Sequence, residues 1–574
     1  MIDISYLLHS VPYIALFASM AAGYWIGKFS WKNISLGAVA GTLLAAVIIG
    51  QFDFAIPGPF KSIMFALFIY AIGYQAGPAF FHSFNKSAWR EVVLATFLAG
   101  AALATVLACA YFGKLNLGLA AGLASGALTQ SAVIGTAQGA IAALPLPAEI
   151  KATLDSDVAI AYAVTYLFGT FGAIMLVAYG TPLIARQSLK AGSQLVEAQL
   201  SGGNSNLKPG EFFELAPYVA RAIAVEAGAG KSVSALERII GDVAITRVVR
   251  NEHATDVAGD TVLAEGDQVL VLGNRQDVVE KATTAIGHEI PTLSGISAVG
   301  DALDVVVTNK ALKGKKLSEL PSVLGAKALH GIHILSLTRS GQRAPLLPNT
   351  QIVIGDTLRL VGISSDVYAV SRKIGYPEVD ADKTDYVWLA LGIAVGILIG
   401  LITIPLGPIS LSLGTGGGCV FSGLIFGWLR SRDPVFGQLP SATAGFLKSF
   451  GLCAFIGVVG LEAGPRAIAT LAHSGPAILL FGVIVTVVPI IATQIFGAYV
   501  LRGQFTNSAL LAGGLAGSRS CTASLGAVIP ISGSNAAMLT YPVTYTLAQI
   551  YLTLFGPLIV AIMHGWGGFA ILMK

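Results

Sequence analysis

The chain alternates between long apolar runs and short polar breaks, and one long polar stretch interrupts this pattern in the middle. A helix crosses a bilayer with roughly 20 apolar residues. Six apolar segments precede the polar stretch, at about 10–27, 33–51, 62–84, 92–112, 115–148 and 158–185. Six more follow it, at about 386–404, 411–429, 446–468, 475–501, 504–531 and 535–570. The pattern predicts a polytopic α-helical membrane protein that carries a soluble insert.

Composition supports this division. The 574 residues are 54% hydrophobic and only 11% charged, whereas soluble proteins are about 25% charged. Residues 187–380 contain 19 of the 35 Lys and Arg residues and 21 of the 31 Asp and Glu residues. This composition excludes a disordered chain, an ordinary soluble enzyme and a nucleic-acid-binding protein.

Basic residues predict the orientation, because short cytoplasmic loops are enriched in Lys and Arg. Lys28 follows the first segment and Arg186 leads into the insert, so both are expected inside. Six full crossings from an outside start would place Arg186 outside. We therefore expect five spans and one re-entrant segment in each half, with both termini outside and residues 187–380 in the cytoplasm. Residues 11–27 have no basic residue before them, which favours a retained span over a cleaved signal peptide.

The two membrane halves repeat each other in order and at nearly constant spacing. The third segments share a motif, Gly73-Tyr-Gln-Ala-Gly-Pro78 and Gly460-Leu-Glu-Ala-Gly-Pro465. In the fifth segments the matched residues are Gly122, Gly126, Ser131 and Gly135 in one half, and Gly513, Gly517, Thr522 and Gly526 in the other. An odd number of crossings makes the copies inverted. Many secondary transporters build a midplane binding site from inverted repeats with interrupted helices.

The insert divides into a polar linker, residues 187–215, and two copies of a small α+β module, residues 216–290 and 291–380. Short runs with period-two alternation, such as residues 243–249 and 332–337, predict strands. The copies share a Gly-Lys motif at Gly230 and Gly314, and a Gly-Asp motif at Gly266 and Gly355. Neither copy contains a catalytic triad, a metal-ligand cluster or a phosphate-binding loop.

Taken together, these motifs resemble the aspartate–alanine exchanger family of bacterial inner-membrane antiporters. The resemblance rests on the duplicated third-segment motif, the Gly-Ser-Arg-Ser sequence at residues 517–520, and two modules similar to TrkA C-terminal domains. It assigns residues 1–186 and 381–574 to the two membrane repeats. It implies exchange of small carboxylate-bearing solutes, such as L-aspartate for L-alanine, without a cofactor or metal. We expect a homodimer whose cytoplasmic modules bind a regulatory small ligand.

Arg519 is the main candidate for substrate binding. A cation in an apolar segment costs roughly 2.5–3.5 kcal/mol on insertion scales, and guanidinium holds a carboxylate with two parallel hydrogen bonds. The equivalent position in the first half is Leu128. The alternative is that Arg519 pairs with an internal acid such as Glu462. The remaining predicted substrate-binding residues, for which helix packing is the alternative, are Ser518, Ser520, Thr522, Thr129, Gln130, Ser131, Thr165 and Thr544.

Other polar residues in the apolar segments have coupling or structural roles. Glu462, whose counterpart is Gln75, either carries a coupling proton or pairs with Arg466 one turn along the helix. Asp155 and Asp157 flank the start of the sixth span, where capping is favoured over cation binding. We expect Pro542 to free a backbone carbonyl in mid-span. The residues predicted to serve as hinges or close-packing positions are Gly77, Pro78, Gly464, Pro465, Gly126, Gly517 and Pro542.

The sequence leaves three other functions open. A cation/proton antiporter regulated by the modules would need a membrane acid, for which Glu462 is the candidate. A ligand-gated channel would need a selectivity filter, and no carbonyl-filter motif is present. A membrane enzyme would need a catalytic cluster, which the sequence lacks. The antiporter of carboxylate-bearing solutes therefore remains the main prediction.

Overall fold

The structure, a computed structural model, describes residues 11–28, 30–31, 34–35, 37–53, 56–83, 88–201, 218–251, 253–274, 277–290, 300–339, 342–378, 384–406, 409–412, 414–432 and 436–566. The chain divides into two compact units. One contains Met1–Val196 and Ala381–Lys574, and the other contains Glu197–Asp380. The first unit is helical and apolar, and the second is built around two sheets.

The first membrane half is a run of apolar helices. They are α1 (Tyr13–Gly27), α2 (Ala38–Ile49), α3 (Gly58–Ser83), α4 (Trp89–Gly113), α5 (Leu117–Ala127), α6 (Ala132–Ala143) and α7 (Ala148–Met175). A π-helical turn, Leu176–Gly180, joins α7 to α8 (Thr181–Ala185), and α9 covers Leu189–Ser201. Two short antiparallel strands, β1 (Ser30–Trp31) and β2 (Ile34–Ser35), lie between α1 and α2.

Each module of the second unit is a five-stranded antiparallel sheet packed against short helices. In the first module the strands are β3 (Tyr218–Val225), β4 (Val243–Arg250), β5 (His253–Asp256), β6 (Gln268–Asn274) and β7 (Gly287–Ile290). The helices are α10 (Val233–Ile240) and α11 (Thr283–Ile286), and a π-helical turn, Asp277–Ala282, precedes α11. The sheet order is β5-β4-β6-β3-β7.

The second module repeats this architecture. Its strands are β8 (Gly300–Val307), β9 (His333–Arg339), β10 (Gln342–Ala344), β11 (Thr357–Ile363) and β12 (Gly375–Glu378), in the order β10-β9-β11-β8-β12. Its helices are α12 (Leu320–Leu324) and α13 (Ser364–Ile374). The strand order is the same in both modules once each strand is matched to its counterpart.

An identical ion pair fixes the same loop in both modules. Arg250 donates two hydrogen bonds to Asp267, from Nε at 2.8 Å and from Nη2 at 2.6 Å. Arg339 holds Asp356 in the same way, with both bonds at 2.7 Å. The glycine before each aspartate has a positive φ, 83° at Gly266 and 92° at Gly355. The repeated Gly-Asp motif therefore marks a left-handed turn whose carboxylate is locked by arginine.

Side chains also connect the two modules. His330 Nε2 lies 2.7 Å from Glu237 Oε1, and Arg247 Nη2 lies 3.5 Å from Asp366 Oδ1. The hydrogen bond to Glu237 raises the pKa of His330 above its ordinary value of 6.5. The modules therefore form one unit joined in part by a titratable contact.

The second membrane half resumes after the insert. Its helices are α14 (Tyr386–Gly400), α15 (Gly414–Arg432), α16 (Ser441–Ile495), α17 (Ser508–Ser518), α18 (Thr522–Ser532), α19 (Tyr541–Thr553) and α20 (Phe555–Gly565). The antiparallel strands β13 (Thr403–Leu406) and β14 (Ile409–Ser412) lie between α14 and α15, where β1 and β2 lie in the first half. A π-helical turn, Phe496–Leu501, follows α16.

Four continuous stretches among the described helices are long and apolar enough to cross a membrane: Trp89–Gly113, Ala148–Ala185, Ala442–Leu501 and Tyr541–Gly565. Seven shorter apolar helices accompany them. All four cysteines are free and buried, Cys109, Cys419, Cys453 and Cys521. The helical and membrane-like character predicted from the sequence is thus present.

The structure corrects the expected break between the ninth and tenth segments. Instead of two helices at 446–468 and 475–501, α16 runs without interruption for 55 residues and contains Pro465, Pro476 and Pro489. At 1.5 Å per residue this helix is about 80 Å long. The gap between the two apolar runs predicted a break, but the helix continues through it. Apolar helices tolerate proline where neighbouring groups satisfy the freed carbonyls.

Two other boundaries also differ from the prediction. The sixth segment begins at Ala148, about ten residues before the expected 158, because the helix continues through a polar turn that hydropathy excludes. The expected linker 187–215 begins with the helix α9, whose first turn packs on the membrane unit. There Asn507 Nδ2 donates to the Gly192 carbonyl at 2.8 Å, and Gln187 Oε1 accepts from the Ser508 amide at 2.9 Å. Residues 202–215 lie outside the described ranges.

Equivalent helices of the two membrane halves pack closely against each other at two crossings. A Cβ added at Gly427 of α15 would collide with the carbonyl oxygen of Tyr74 in α3. A Cβ added at Gly50, after α2, would collide with the carbonyl oxygen of Leu461 in α16. Gly50 and Gly427 are equivalent in the sequence repeat, because each lies 13 residues after the glycine of a Ser-Leu-Gly sequence, at 35–37 and 412–414. Each half therefore packs the same face of its second helix against the third helix of the other half.

Candidate substrate site at two matched helix turns

The fifth apolar segment of each half folds into two short helices joined by a tight turn. The turns join α5 to α6 and α17 to α18, and one residue in each has left-handed backbone, with φ of 57° at Thr129 and 50° at Ser520. Each first helix is capped by an asparagine. Asn116 Oδ1 accepts from the Leu119 amide at 2.8 Å, and Asn507 Oδ1 accepts from the Ala509 amide at 3.0 Å. The sequence analysis did not identify these two asparagines, although they cap equivalent helices.

The two turns are closed by the same backbone hydrogen bonds. In the first, the Thr129 amide donates to the Gly126 carbonyl at 2.9 Å and the Gln130 amide to the Ser125 carbonyl at 2.8 Å. In the second, the Ser520 amide donates to the Gly517 carbonyl at 2.7 Å and the Cys521 amide to the Ala516 carbonyl at 3.0 Å. This pattern is a Schellman-type helix end, which satisfies the last carbonyls and allows the chain to reverse.

A hydroxyl contact links each turn to the following long helix. Ser131 Oγ lies 2.8 Å from Tyr162 Oη, and Thr522 Oγ1 lies 3.0 Å from Tyr541 Oη. Ser131 and Thr522 are matched in the sequence repeat, and each tyrosine begins a Tyr-x-Val-Thr-Tyr sequence, at 162–166 and 541–545. The two turns are therefore held by the same kind of bond, although the residue types Ser and Thr differ.

Arg519 directly follows Ser518, the last residue of α17, and is fully buried. Its Nη2 donates a hydrogen bond of 2.6 Å to the carbonyl oxygen of Ala127, the last residue of α5. Its Nε and Nη1 have no hydrogen-bond partner in the described part of the chain. In that same part, no carboxylate lies within 4.0 Å of the guanidinium, so Arg519 does not pair with Glu462.

A buried arginine without an acid partner is costly, because its charge has lost water without gaining a counter-ion. The carboxyl end of α5 compensates in part, because helix C-termini carry negative partial charge. The Ala127 carbonyl also accepts from Thr486 Oγ1 at 3.1 Å. The hydrogen-bond donors of Arg519 that remain are the Nε–H and the N–H groups of Nη1. They suit a carboxylate from outside the protein.

Several predicted substrate-binding hydroxyls are already used by the backbone. Ser518 donates to the Gly514 carbonyl at 2.7 Å, and Thr129 donates to the Leu128 carbonyl at 2.6 Å. Thr165 bonds the Ala161 carbonyl at 2.8 Å, and Thr544 bonds the Thr540 carbonyl at 3.0 Å. By contrast, Ser520 Oγ is buried without a partner in the described structure.

Thr165 and Thr544 instead pack against the turns. A Cβ at Gly126 would overlap Thr165 Oγ1, and a Cβ at Gly517 would overlap Thr544 Oγ1. Pro542 lies in the first turn of α19, where its missing N–H removes no helical bond. Pro542 therefore lies at the start of a helix. The prediction that it frees a backbone carbonyl in mid-span is wrong.

Gln130 connects the first turn to the second half. Its Nε2 donates a 3.0 Å hydrogen bond to Gln549 Oε1 in α19. Both residues are buried. The sequence analysis did not identify Gln549 and Thr486, because neither belongs to a motif that the two halves share.

The third-segment motifs lie at helix crossings rather than at the turns. Gly77 packs against the backbone of α15, and Gly464 packs against Gly50. Pro78 and Pro465 lie inside continuous helices. Gln75 is exposed.

The acid and base of the ninth segment have other partners than expected. Glu462 pairs with Lys61 at 2.8 Å, and Arg466 Nη1 donates to Thr153 Oγ1 at 2.7 Å, so the pairing of Glu462 with Arg466 is wrong. Asp157 Oδ2 accepts from Asn116 Nδ2 at 2.7 Å. Because α7 begins at Ala148, neither Asp155 nor Asp157 caps it.

The described residues contain no group of three or more His, Cys, Asp or Glu side chains placed to hold a metal ion. The polar groups at the turns are hydroxyls, amides and one guanidinium. This chemistry suits hydrogen bonding to an anionic organic solute.

Comparison with known proteins identifies the family. The family described as a predicted permease membrane region, that of the aspartate–alanine exchangers, matches residues 15–182 and 388–561. The chain belongs to the aspartate–alanine exchanger family. The TrkA-C domain family matches residues 221–283, within the first module of this exchanger-family protein.

Full-length relatives of this family member are named as transporters. An uncharacterized transporter of Zymomonas mobilis is 40% identical over 97% of this chain and 98% of its own length. Uncharacterized transporters of Bradyrhizobium diazoefficiens and Francisella tularensis are 36% and 33% identical, over 97% and 96% of this chain and 99% and 97% of theirs. No solved structure matches. The protein is thus a multi-pass membrane protein of a transporter family with a TrkA-C region.

Proposed function

We propose that this protein is a secondary antiporter that exchanges small carboxylate-bearing solutes, with L-aspartate and L-alanine as the first pair to test. The buried, acid-free guanidinium of Arg519 is the observation that carries the proposal. A carboxylate would supply the missing counter-charge and satisfy Nε and Nη1. Substrate would therefore be bound mainly as an anion at the second turn.

The two turns would form the site together. Arg519 reaches across to Ala127, and Gln130 reaches across to Gln549, so both halves contribute. The α18 helix begins at Thr522, three residues after Arg519, and its first amides would add positive partial charge to the same turn. Ser520 Oγ offers one further group for a substrate oxygen or ammonium.

Exchange requires alternating access to this site. We propose that the halves are inverted repeats and that the turn-bearing helices move against the rest in an elevator-type motion while solute remains bound. The protein would lie in the bacterial inner membrane as a homodimer, with residues 187–380 in the cytoplasm and both termini outside. The TrkA-C-like modules would then bind a small regulatory ligand.

The test is counterflow in proteoliposomes. Vesicles are loaded with unlabelled aspartate, alanine, succinate or glutamate, and uptake of labelled L-aspartate is followed. We expect uptake only when a counter-substrate is inside, and we expect Arg519→Ala to abolish it. Wild-type rates in Arg519→Ala would overturn the assignment of this residue.

A cation/proton antiporter is the alternative that this assay separates. It needs a membrane acid free to titrate, and Glu462 is instead paired with Lys61. Flux driven by a pH jump without any amino acid would favour that alternative.

A further inference from the structure

A charged cavity lies apart from the two turns. It is bounded by the first turn of α3, by residues 152–156 of α7 and by residues 459–466 of α16. Its volume is about 370 Å³. Small-molecule sites occupy roughly 300–1,000 Å³, so the cavity is large enough for an amino acid. The charged and polar residues among those that line it are Asp53, Lys61, Asp155, Ser156, Glu462 and Arg466.

Two opposite charges in the cavity form no salt bridge within 4.0 Å in the described part of the chain. Lys61 and Glu462 neutralise each other at 2.8 Å. Arg466 is held by the neutral Thr153 hydroxyl at 2.7 Å, and in the described structure no carboxylate lies within 4.0 Å of it. Asp155 Oδ1 is buried and has no hydrogen-bond partner among the described residues.

A buried hydroxyl marks the same place. Ser156 is only 5% exposed, lines the cavity, and its Oγ has no hydrogen-bond partner in the described structure. Buried polar atoms are nearly always satisfied, so an orphaned hydroxyl and an orphaned carboxylate oxygen next to each other in sequence call for a ligand or water.

We infer that this cavity binds the zwitterionic head of an α-amino acid, with the carboxylate on Arg466 and the ammonium on Asp155. A zwitterion compensates both charges at once. A dicarboxylate without an amino group would leave the Asp155 carboxylate without a counter-charge. A bare cation would leave the Arg466 guanidinium without one. The inference rests on the proposed exchange function and adds to it a second binding position for the solute, away from Arg519.

This cavity is distinct from the site at Arg519. Thr165 of α7 packs on the first turn, and Asp155 lies ten residues before it in the same helix. At 1.5 Å per residue the separation along the helix is about 15 Å. In the orientation that the basic residues predict, the start of α7 faces outward, so the cavity would capture solute before it reaches the turns.

The first experiment compares external KM values in proteoliposomes that show exchange. Asp155→Asn removes the ammonium partner without changing size, and Arg466→Gln removes the carboxylate partner. We expect each to raise the KM for external L-alanine by about tenfold or more, because a charged hydrogen bond contributes roughly 1.5–3 kcal/mol. We expect Asp155→Asn to leave inhibition by succinate unchanged. Glu149→Gln is the matched control, because Glu149 is an exposed carboxylate of the same helix that does not line the cavity.

The second experiment reports binding without transport. Ala152 is exposed and lines the cavity, so Ala152→Cys places a reactive thiol there, whereas the four native cysteines are buried. We expect L-alanine to slow its modification by a membrane-impermeant thiosulfonate in the full-length protein, and succinate to have no such effect. Asp155→Asn should remove this protection.

The outcomes separate this inference from the proposed function. If counterflow occurs and requires Arg519, but both cavity variants match Glu149→Gln and L-alanine gives no protection, the cavity assignment is overturned and the exchange function stands. Protection by succinate equal to that by L-alanine would also overturn it. If no loading supports counterflow and no amino acid protects the thiol, both proposals fall together.

Discussion

The guanidinium of Arg519 in the second membrane half donates a 2.6 Å hydrogen bond to the backbone carbonyl of Ala127 in the first half. Ala127 is the last residue of α5, and Arg519 directly follows the last residue of α17. The single cation of the site is thus positioned by the other half of the protein, at the negative end of its helix dipole. The bond uses one nitrogen and leaves the others for a ligand.

Arg519→Lys separates charge from geometry. Lysine keeps the positive charge but cannot bind Ala127 and a carboxylate together in a planar fork. We expect exchange to persist with a KM for L-aspartate raised by about 10- to 100-fold, corresponding to roughly 1.4–2.8 kcal/mol. Initial rates against concentration give the measurement. A KM equal to that of wild type would show that charge alone is sufficient.

The glycines before the turns should not tolerate a side chain. Gly517→Ala would push a methyl group into Thr544 Oγ1 and the Tyr541 carbonyl, and Gly126→Ala would do the same at Thr165 and Tyr162. Overpacking of this kind costs about 1–3 kcal/mol, so both variants should melt at lower temperature and exchange poorly.

Gly526→Ala is the control for these variants. A Cβ at Gly526 of α18 meets no atom within 4 Å, so this change should leave thermal stability equal or slightly higher. Equal stability of Gly517→Ala and Gly526→Ala, measured by thermal unfolding in detergent, would contradict the packing assigned to the turns.

The matched ion pairs of the soluble modules should have equal effects on stability. Asp267→Asn removes the charge held by Arg250, and Asp356→Asn removes the charge held by Arg339. Each aspartate also accepts a backbone N–H, from Ala264 and Val353 at 2.8 Å. We expect each variant to lower the free energy of unfolding by about 1.5–3 kcal/mol, measured by denaturant unfolding, whereas the exposed Asp260→Asn should have little effect.

The contact of His330 with Glu237 predicts a pH dependence. The pKa of His330 is raised above 6.5 by this hydrogen bond, so its stabilising contribution is complete below about pH 6.5 and is lost as pH rises through the higher folded value. The neighbouring His333 acts in the opposite direction, because burial lowers its pKa.

The measurement is therefore a difference between proteins. The melting temperature of the wild type minus that of His330→Gln should be larger at pH 6 than at pH 8. His253→Gln, an exposed ring bonded only to the Asn251 carbonyl among the described residues, serves as control and should show no such trend. A difference that does not depend on pH would contradict the role of His330.

The repeat could be predicted because matched positions in the two halves carry the same or similar residues. Gly126, Gly517, Ser131 and Thr522 occupy matched places in the structure as they do in the sequence. Strands of the modules followed from period-two alternation. The TrkA-C relationship and the exchanger family were likewise predicted and are confirmed.

Other features could not be read from the chain because they depend on packing. The continuity of α16 through Pro476 is one example, because apolar helices can continue through proline when their surroundings satisfy the freed carbonyl. The partner of Glu462 is Lys61, which is remote in sequence, whereas periodicity pointed to Arg466 four residues away. The contact between Gln130 and Gln549 joins residues that are 419 positions apart, which no local pattern connects.

The reciprocal crossings at Gly50 and Gly427 bear on how such a chain could have arisen by duplication. Because each half packs its second helix on the third helix of the other, a polypeptide with a single half would expose a glycine-lined face with nothing to fill it. Two copies could cover both faces, since the crossings are equivalent. The ancestral half would then have been an obligate homodimer, and fusion would have made that partnership permanent. Separate co-expression of the two halves should accordingly yield a stable complex where either half alone does not accumulate.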